Sequence, residues 1–294
     1  MKTGHDAPTG LFSFLHVFTI DMPLLTELLR GSARFLSLSC LLVPSLINAQ
    51  SLRLGTNEIS PGKTLQFFVP LTSRAKWEIS RLHLAADFAK GALVLPEGFS
   101  LKKPCRLLVI SVPSGGSAIA AMASYTNVAL NEGWALLAAD GPRVAAEDDS
   151  IQWNWAMLSS TLDYLTRAWP QARQWTMVCA GFSGGAKRSG SVAAALMKEN
   201  FRVIGIFMGG CNEDRVSLGI KLYAPSDLFK SVPIFLSCGL QDPIAGPTPT
   251  AGVKQSLEQS GFRLIRMESY PGGHRLDPDQ LKLALKWFLQ PRRA

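Results

Sequence analysis

The chain has 294 residues, of which 47% are hydrophobic and 18% charged, and its formal net charge is +8. This balance excludes a disordered chain and describes a globular protein with a sizeable core, long enough for one large domain or two small ones. The positive charge is diffuse, with no Lys/Arg-rich run and no basic-aromatic patch, so nucleic acid is not expected as a partner.

The first recognisable segment is a targeting signal. Arg30 and Arg34 precede an apolar run from Phe35 to Ile47 that ends in Asn48-Ala49-Gln50. A basic flank, an apolar stretch and a small residue at its end make a secretory signal peptide, with cleavage expected after Ala49 and a secreted or periplasmic product. The run is shorter than the roughly 20 residues of a membrane span, so no stable membrane insertion of the mature chain is expected. An anchored N-terminus is the alternative. A lipoprotein signal through Cys40 is weaker, because Ser37 stands where a leucine would be expected, and Met22 offers an alternative start.

Residues 50–294 are expected to form a single domain. A β-type pattern covers Thr64–Pro70 and again Leu82–Leu95, punctuated by Lys90-Gly91 and Pro96-Glu97-Gly98. Strands and helices then alternate. Strands are predicted over Arg106–Val112, Trp134–Ala139, Trp175–Ala180, Val203–Met208, Val232–Cys238 and Arg263–Glu268. Helices are predicted over Ser117–Glu132, Ile151–Ala168, Ser191–Glu199, Gly252–Ser260 and Gln280–Leu289. Such alternation builds βαβ units, an α/β fold with a mostly parallel central sheet and helices on both faces. Strands buried on both sides should be continuously apolar, as these are.

Five cysteines occur: Cys40, Cys105, Cys179, Cys211 and Cys238. None has a C-x-x-C or Cys/His spacing that would hold a metal. Cys179 and Cys238 fall in central strands, where a free thiol behaves as a small hydrophobe. Their spacing does not decide whether one disulfide forms.

The chemistry concentrates in Gln174–Asn200. An apolar strand runs into Gly181-Phe182-Ser183-Gly184-Gly185 and then into a helix holding Leu196 and Met197. A chain that turns from strand to helix within a few residues forces one residue into a strained conformation and needs small neighbours. Ser183 would then stand out at the strand's C-terminal edge. This is the G-x-S-x-G nucleophile elbow, and here the chain resembles the α/β-hydrolase superfamily. A glycine-rich turn with an ordinary helix-capping serine would carry the same letters.

A serine needs a base, and the base an acid to hold its tautomer. Of the four histidines, His5 and His16 lie in the targeting region and His83 in an early strand pattern. His274 follows Tyr270-Pro271-Gly272-Gly273 in a loop between the last strand and the last helix, and is the candidate base. The acid should follow a strand between Ser183 and His274; Asp242, in the turn Gly239-Leu240-Gln241-Asp242-Pro243, does so. Glu213 and Asp214, after the preceding strand, are the reserves.

An oxyanion needs backbone donors. Gly184 is one candidate, and Ser114 or Gly115 in Pro113-Ser114-Gly115-Gly116-Ser117 the other; this loop lacks the His-Gly-Gly-Gly form of many lipases and esterases. The resemblance covers most of residues 64–290. It is similar in spacing to secreted carboxylesterases, including relatives of polyhydroxybutyrate depolymerases, feruloyl esterases and dienelactone hydrolases. It implies a serine hydrolase cleaving small-molecule or polymeric esters through an acyl-enzyme, without metal or organic cofactor. The short segment between Cys211 and Val232 argues against a large lid, and Trp153, Trp155 and Tyr223 are candidates for an acyl or aryl pocket. The alternatives are a non-catalytic binding protein on the same scaffold, or a peptidase or amidase with the same three residues.

Overall fold

The computed structural model describes residues 52–291. The segment read as a signal peptide, with Cys40, His5, His16 and the cleavage expected after Ala49, lies outside the described residues. A short antiparallel hairpin, β1 (Arg53–Leu54) and β2 (Asn57–Glu58), opens the described chain. There follow β3 (Leu65–Pro70), α1 (Ser73–Ser80), β4 (Phe88–Val94), β5 (Arg106–Ile110), α2 (Ala118–Asn131), β6 (Ala135–Asp140) and α3 (Ile151–Ala168). The second half contributes β7 (Thr176–Phe182), α4 (Gly184–Lys198), β8 (Arg202–Gly209), α5 (Val216–Tyr223), β9 (Ile234–Gly239), α6 (Pro247–Gln259), β10 (Ile265–Tyr270) and α7 (Pro278–Phe288).

Eight strands form one sheet in the order β10-β9-β8-β7-β5-β6-β4-β3. Only β4 runs against its neighbours β3 and β6; the other pairings are parallel. The parallel strands therefore all end at one edge of the sheet, which is where loops from distant parts of the chain meet. Successive residues of a strand point to opposite faces. Accordingly Leu107 and Val109 of β5 pack into one apolar layer, with α3 and α4, while Leu108 and Ile110 pack into the other, with α2 and α7. The sheet is covered on both faces, which is why its central strands read as unbroken apolar runs.

Several boundaries differ from the sequence reading. Within Leu82–Leu95 only Phe88–Val94 is strand, and the polar stretch before it folds as α1, started by Thr72 accepting from the Ala75 amide and anchored by buried Ala75 and Ile79. His83 lies in the turn after α1, exposed and with φ 58°, rather than in a strand. Helix α4 starts seven residues before Ser191, because its first turns are built from glycine and serine, which carry little helical signal of their own. Helix α6 likewise starts earlier, on Pro247, whose missing N–H costs nothing in the first helical turn. No helix among the described residues is long and apolar enough to cross a membrane.

Candidate active site

The site is built around the turn from β7 into α4. Ser183 sits there with φ 53° and ψ −120°, a conformation strained for any residue with a β-carbon. The two flanking glycines are required by space. A β-carbon on Gly181 would lie 2.1 Å from the Gly185 carbonyl oxygen, and one on Gly185 would lie 2.3 Å from that of Ser111. Ser183 occupies the N-cap position of α4, yet its side chain caps nothing. Its Oγ lies instead 2.9 Å from His274 Nε2.

The opposite ring nitrogen, His274 Nδ1, is 2.8 Å from Asp242 Oδ2. With an acceptor-only carboxylate on Nδ1, the ring proton belongs there, and the Nε2 lone pair faces the serine hydroxyl. The Asp242 side chain has no exposed surface, whereas that of His274 keeps 21%. Burial by itself would raise the Asp242 pKa. The Ala245 amide, the His274 ring and the Ile244 amide outweigh it, and the carboxylate is held below its ordinary value. Both amides bond Asp242 Oδ1 at 2.8 Å. The ring of Phe182 lies against the imidazole with centroids 4.8 Å apart.

The loops carrying the acid and the histidine are laced to each other. The Gln241 N–H donates to the Gly272 carbonyl at 2.9 Å, and Gln241 Oε1 accepts from the Gly272 N–H at 2.6 Å. The Tyr270 hydroxyl donates to the Arg275 carbonyl, closing the turn around His274.

The reserve acids are elsewhere employed. Asp214, one residue ahead of the N-cap Arg215 of α5, accepts from the Val216 and Ser217 amides at 2.8 and 3.3 Å and from Ser217 Oγ and Ser256 Oγ at 2.9 and 2.7 Å. Glu213 pairs with Arg215 Nε at 2.9 Å and Lys187 Nζ at 3.1 Å. The hydrogen bond from Arg215, reinforced by Lys187, holds its carboxyl below the usual range.

The loop between β5 and α2 passes directly over the start of α4. A β-carbon on Gly184 would lie 3.3 Å from Pro113 Cβ and 3.9 Å from the Ser114 amide nitrogen. The Gly115 N–H is taken by Asp149 Oδ2 at 2.8 Å. The Ser114 N–H has no partner among the described residues, and the Gly184 N–H, first in its helix, has none within that helix. A cleft of about 510 Å³ opens beside Ser114 and Gly184, walled by Glu147, Gln152, Lys187, Arg215 and the exposed Leu218.

The aromatic residues considered for a pocket are separated. Trp153 is buried and lines a second cavity of about 440 Å³ on the other side of the Pro113–Gly116 loop. Trp155 packs edge-on to Tyr223 with centroids 5.9 Å apart and borders a cavity shared with Thr72 and Arg74, away from Ser183. Sequence reasoning did not single out Arg188 or Asp149, which pair at 3.0 Å beneath the loop. The one signal was an arginine in a helix otherwise so rich in glycine and alanine that it had to pack closely.

An eight-stranded, mostly parallel sheet with one reversed strand, covered by helices on both faces and carrying a serine on a strained strand-to-helix turn, is the α/β-hydrolase fold. No family model matches the sequence, and no curated protein sequence matches it. Solved structures match in fold. A bacterial heroin esterase superposes with a TM-score of 0.53 at 14% identity, over 78% of this chain and 85% of that one. A Xanthomonas campestris protein described as an α/β serine hydrolase without lid gives 0.51 at 18% identity, over 79% and 96%. A truncated carbohydrate esterase from gut microbiota gives 0.50 at 13% identity, over 67% and 89%. At these identities the likeness defines the fold alone.

Proposed function

We propose that the protein is a serine esterase in which Ser183, His274 and Asp242 act as nucleophile, base and orienting acid. The observation that carries the reading is the unbroken hydrogen-bonded order Ser183 Oγ, His274 Nε2, His274 Nδ1, Asp242 Oδ2, at 2.9 and 2.8 Å, from a serine held in a strained conformation with its hydroxyl unused as a cap. In the first step Ser183 Oγ bonds to the ester carbonyl carbon as its proton passes to His274 Nε2. The carbonyl oxygen takes up the negative charge and is met by the Gly184 and Ser114 amides, which are preorganised and unspent. The bond to the leaving alcohol then breaks and His274 returns the proton to it. A water molecule repeats the sequence on the acyl-serine and releases the acid. Asp242 stays ionised throughout and steadies the imidazolium.

The cleft supports short, hydrophilic esters. Its wall carries Glu147, Gln152, Lys187 and Arg215 beside three apolar side chains, Ala146, Ile151 and Leu218, and no aromatic platform for a long acyl chain. Structural neighbours include esterases and a dipeptidyl aminopeptidase, so a panel of matched esters and amides decides which bond is cut. Short p-nitrophenyl esters should be hydrolysed by the wild type, with activity falling as the acyl chain lengthens, and Ser183→Ala should remove about 10⁴-fold or more of kcat. A folded wild type inert across acyl lengths would favour a binding protein. Cleavage of amides in preference to matched esters would favour a peptidase.

A further inference from the structure

Arg188 is the charged residue buried closest in sequence to the serine. It stands five residues after Ser183 on α4 and is 5% exposed. A guanidinium so placed must be fully met by acceptors. Its NH1 donates to the Val112 carbonyl at 2.7 Å. Its NH2 donates to Ser114 Oγ at 2.7 Å, to the Asp149 carbonyl at 2.5 Å and to Asp149 Oδ1 at 3.0 Å. Asp149 in turn accepts from the Gly115 N–H at 2.8 Å and from Asn154 Nδ2 at 2.6 Å.

The loop after β5 is thus gripped at three successive points: the Val112 carbonyl, the Ser114 hydroxyl and the Gly115 amide. Between them the Ser114 N–H is left without a partner among the described residues. Ser114, Gly115 and Gly116 are exposed and two of the three are glycine; the loop's own brace is one turn bond, the Gly116 N–H donating to the Pro113 carbonyl at 3.0 Å, which leaves the Ser114 N–H itself unheld. Two of the grips come from Arg188 on α4, the helix whose first amide belongs to Gly184, and the third from Asp149, ahead of α3 and itself bonded by Arg188.

We propose that Arg188, together with Asp149, is a positioning pair that fixes the Ser114 amide in register with the Gly184 amide, so that the two make one oxyanion site. The inference rests on the esterase reading above. Donors of this kind act only when aimed before the charge develops, and losing one costs about 10²–10³ in kcat. Lysine does not substitute, since one ammonium cannot span the Val112 carbonyl, the Ser114 hydroxyl and the Asp149 carboxylate as the planar fork does.

The test uses the full chain and three variants, Arg188→Lys, Asp149→Asn and Ser114→Ala, each checked for folding by circular dichroism. With a short p-nitrophenyl ester, Arg188→Lys and Asp149→Asn should lower kcat about 10²-fold with KM changed less than about threefold. Affinity for a short alkyl boronic acid, which becomes tetrahedral on the serine, should fall in parallel with kcat. Ser114→Ala removes one grip of three and should cost about tenfold or less, so it keeps the test open should Arg188→Lys not fold. Folded variants that melt earlier yet keep wild-type kcat and boronate affinity would show a purely structural ion pair and overturn the proposal while leaving the esterase reading intact. A wild type without Ser183-dependent ester hydrolysis would overturn that reading, and the positioning role with it.

Discussion

At the scale of single residues, environment separates three acidic side chains that sequence position alone leaves in competition. Asp242 is buried on His274 with two amides on its second oxygen; Asp214 meets the first amides of α5; Glu213 is half-exposed between two cations. Asp242→Asn should lower kcat about 10³–10⁴-fold by presenting the wrong hydrogen-bond pattern to Nδ1. Asp214→Ala should instead leave kcat near wild type and lower stability by about 0.5–2 kcal/mol, as expected for loss of a cap. Kinetics and thermal unfolding on the two variants reverse this assignment if Asp214→Ala proves to be the one that loses turnover. The depressed pKa of Asp242 also fixes a sign. Its folded value lies below the ordinary 3.8, so its contribution to stability is whole above 3.8 and is lost as pH falls through the lower folded value. In wild type, part of the stability should therefore be lost as pH falls below about 4, a loss that Asp242→Asn, which cannot ionise there, should not show. Chemical denaturation of the two proteins between about pH 5 and about pH 3 checks it, and parallel losses in both would contradict the assignment.

At the scale of elements, the central β/α alternation was legible because each parallel strand is buried on both sides and each helix has one apolar face. Ile151–Ala168 is a helix with the bounds its pattern predicts, held by buried Trp153, Trp155, Leu158 and Leu162. What escaped were elements whose reason for existing lies in contacts distant along the chain. Helix α5, with the short sequence VSLGIKLY, exists because it seats on α4, and the first turns of α4 are helical because the strained Ser183 launches them. The glycines at that crossing show the point. Gly219 of α5 faces α4 so closely that a β-carbon on it would lie 2.7 Å from Ser191 Cα. In an open helix Gly→Ala gains about 1 kcal/mol. Here the neighbour is backbone and must shift as a whole, so Gly219→Ala should destabilise by about 1–3 kcal/mol. Chemical denaturation decides the sign, and a gain in stability would mean the two helices do not lie this close.

At the scale of the whole molecule, the parallel sheet does for the site what local sequence cannot. Ser183 and His274 are 91 residues apart, yet they meet because β7 and β10 end at the same sheet edge. That convergence is maintained without any cross-link among the described residues, where Cys105, Cys179, Cys211 and Cys238 are all free and buried. Burial pushes the Cys105 thiol up to about 12 and the Cys211 thiol up to about 11, and raises Cys179 further. These three thiols, held protonated and out of solvent, do not react, because the thiolate is the nucleophile, and Cys238 is shielded by its complete burial. Stability then rests on the two apolar layers flanking the sheet, and reductant should leave the melting temperature unchanged. Alkylation with iodoacetamide, mapped peptide by peptide, should leave these four cysteines unmodified in the native protein and modify all four in urea. Protection of any two of them in urea that disappears with reductant would reveal a disulfide, and with it an arrangement of β5, β7, β8 and β9 different from the one that brings Ser183, His274 and Asp242 together.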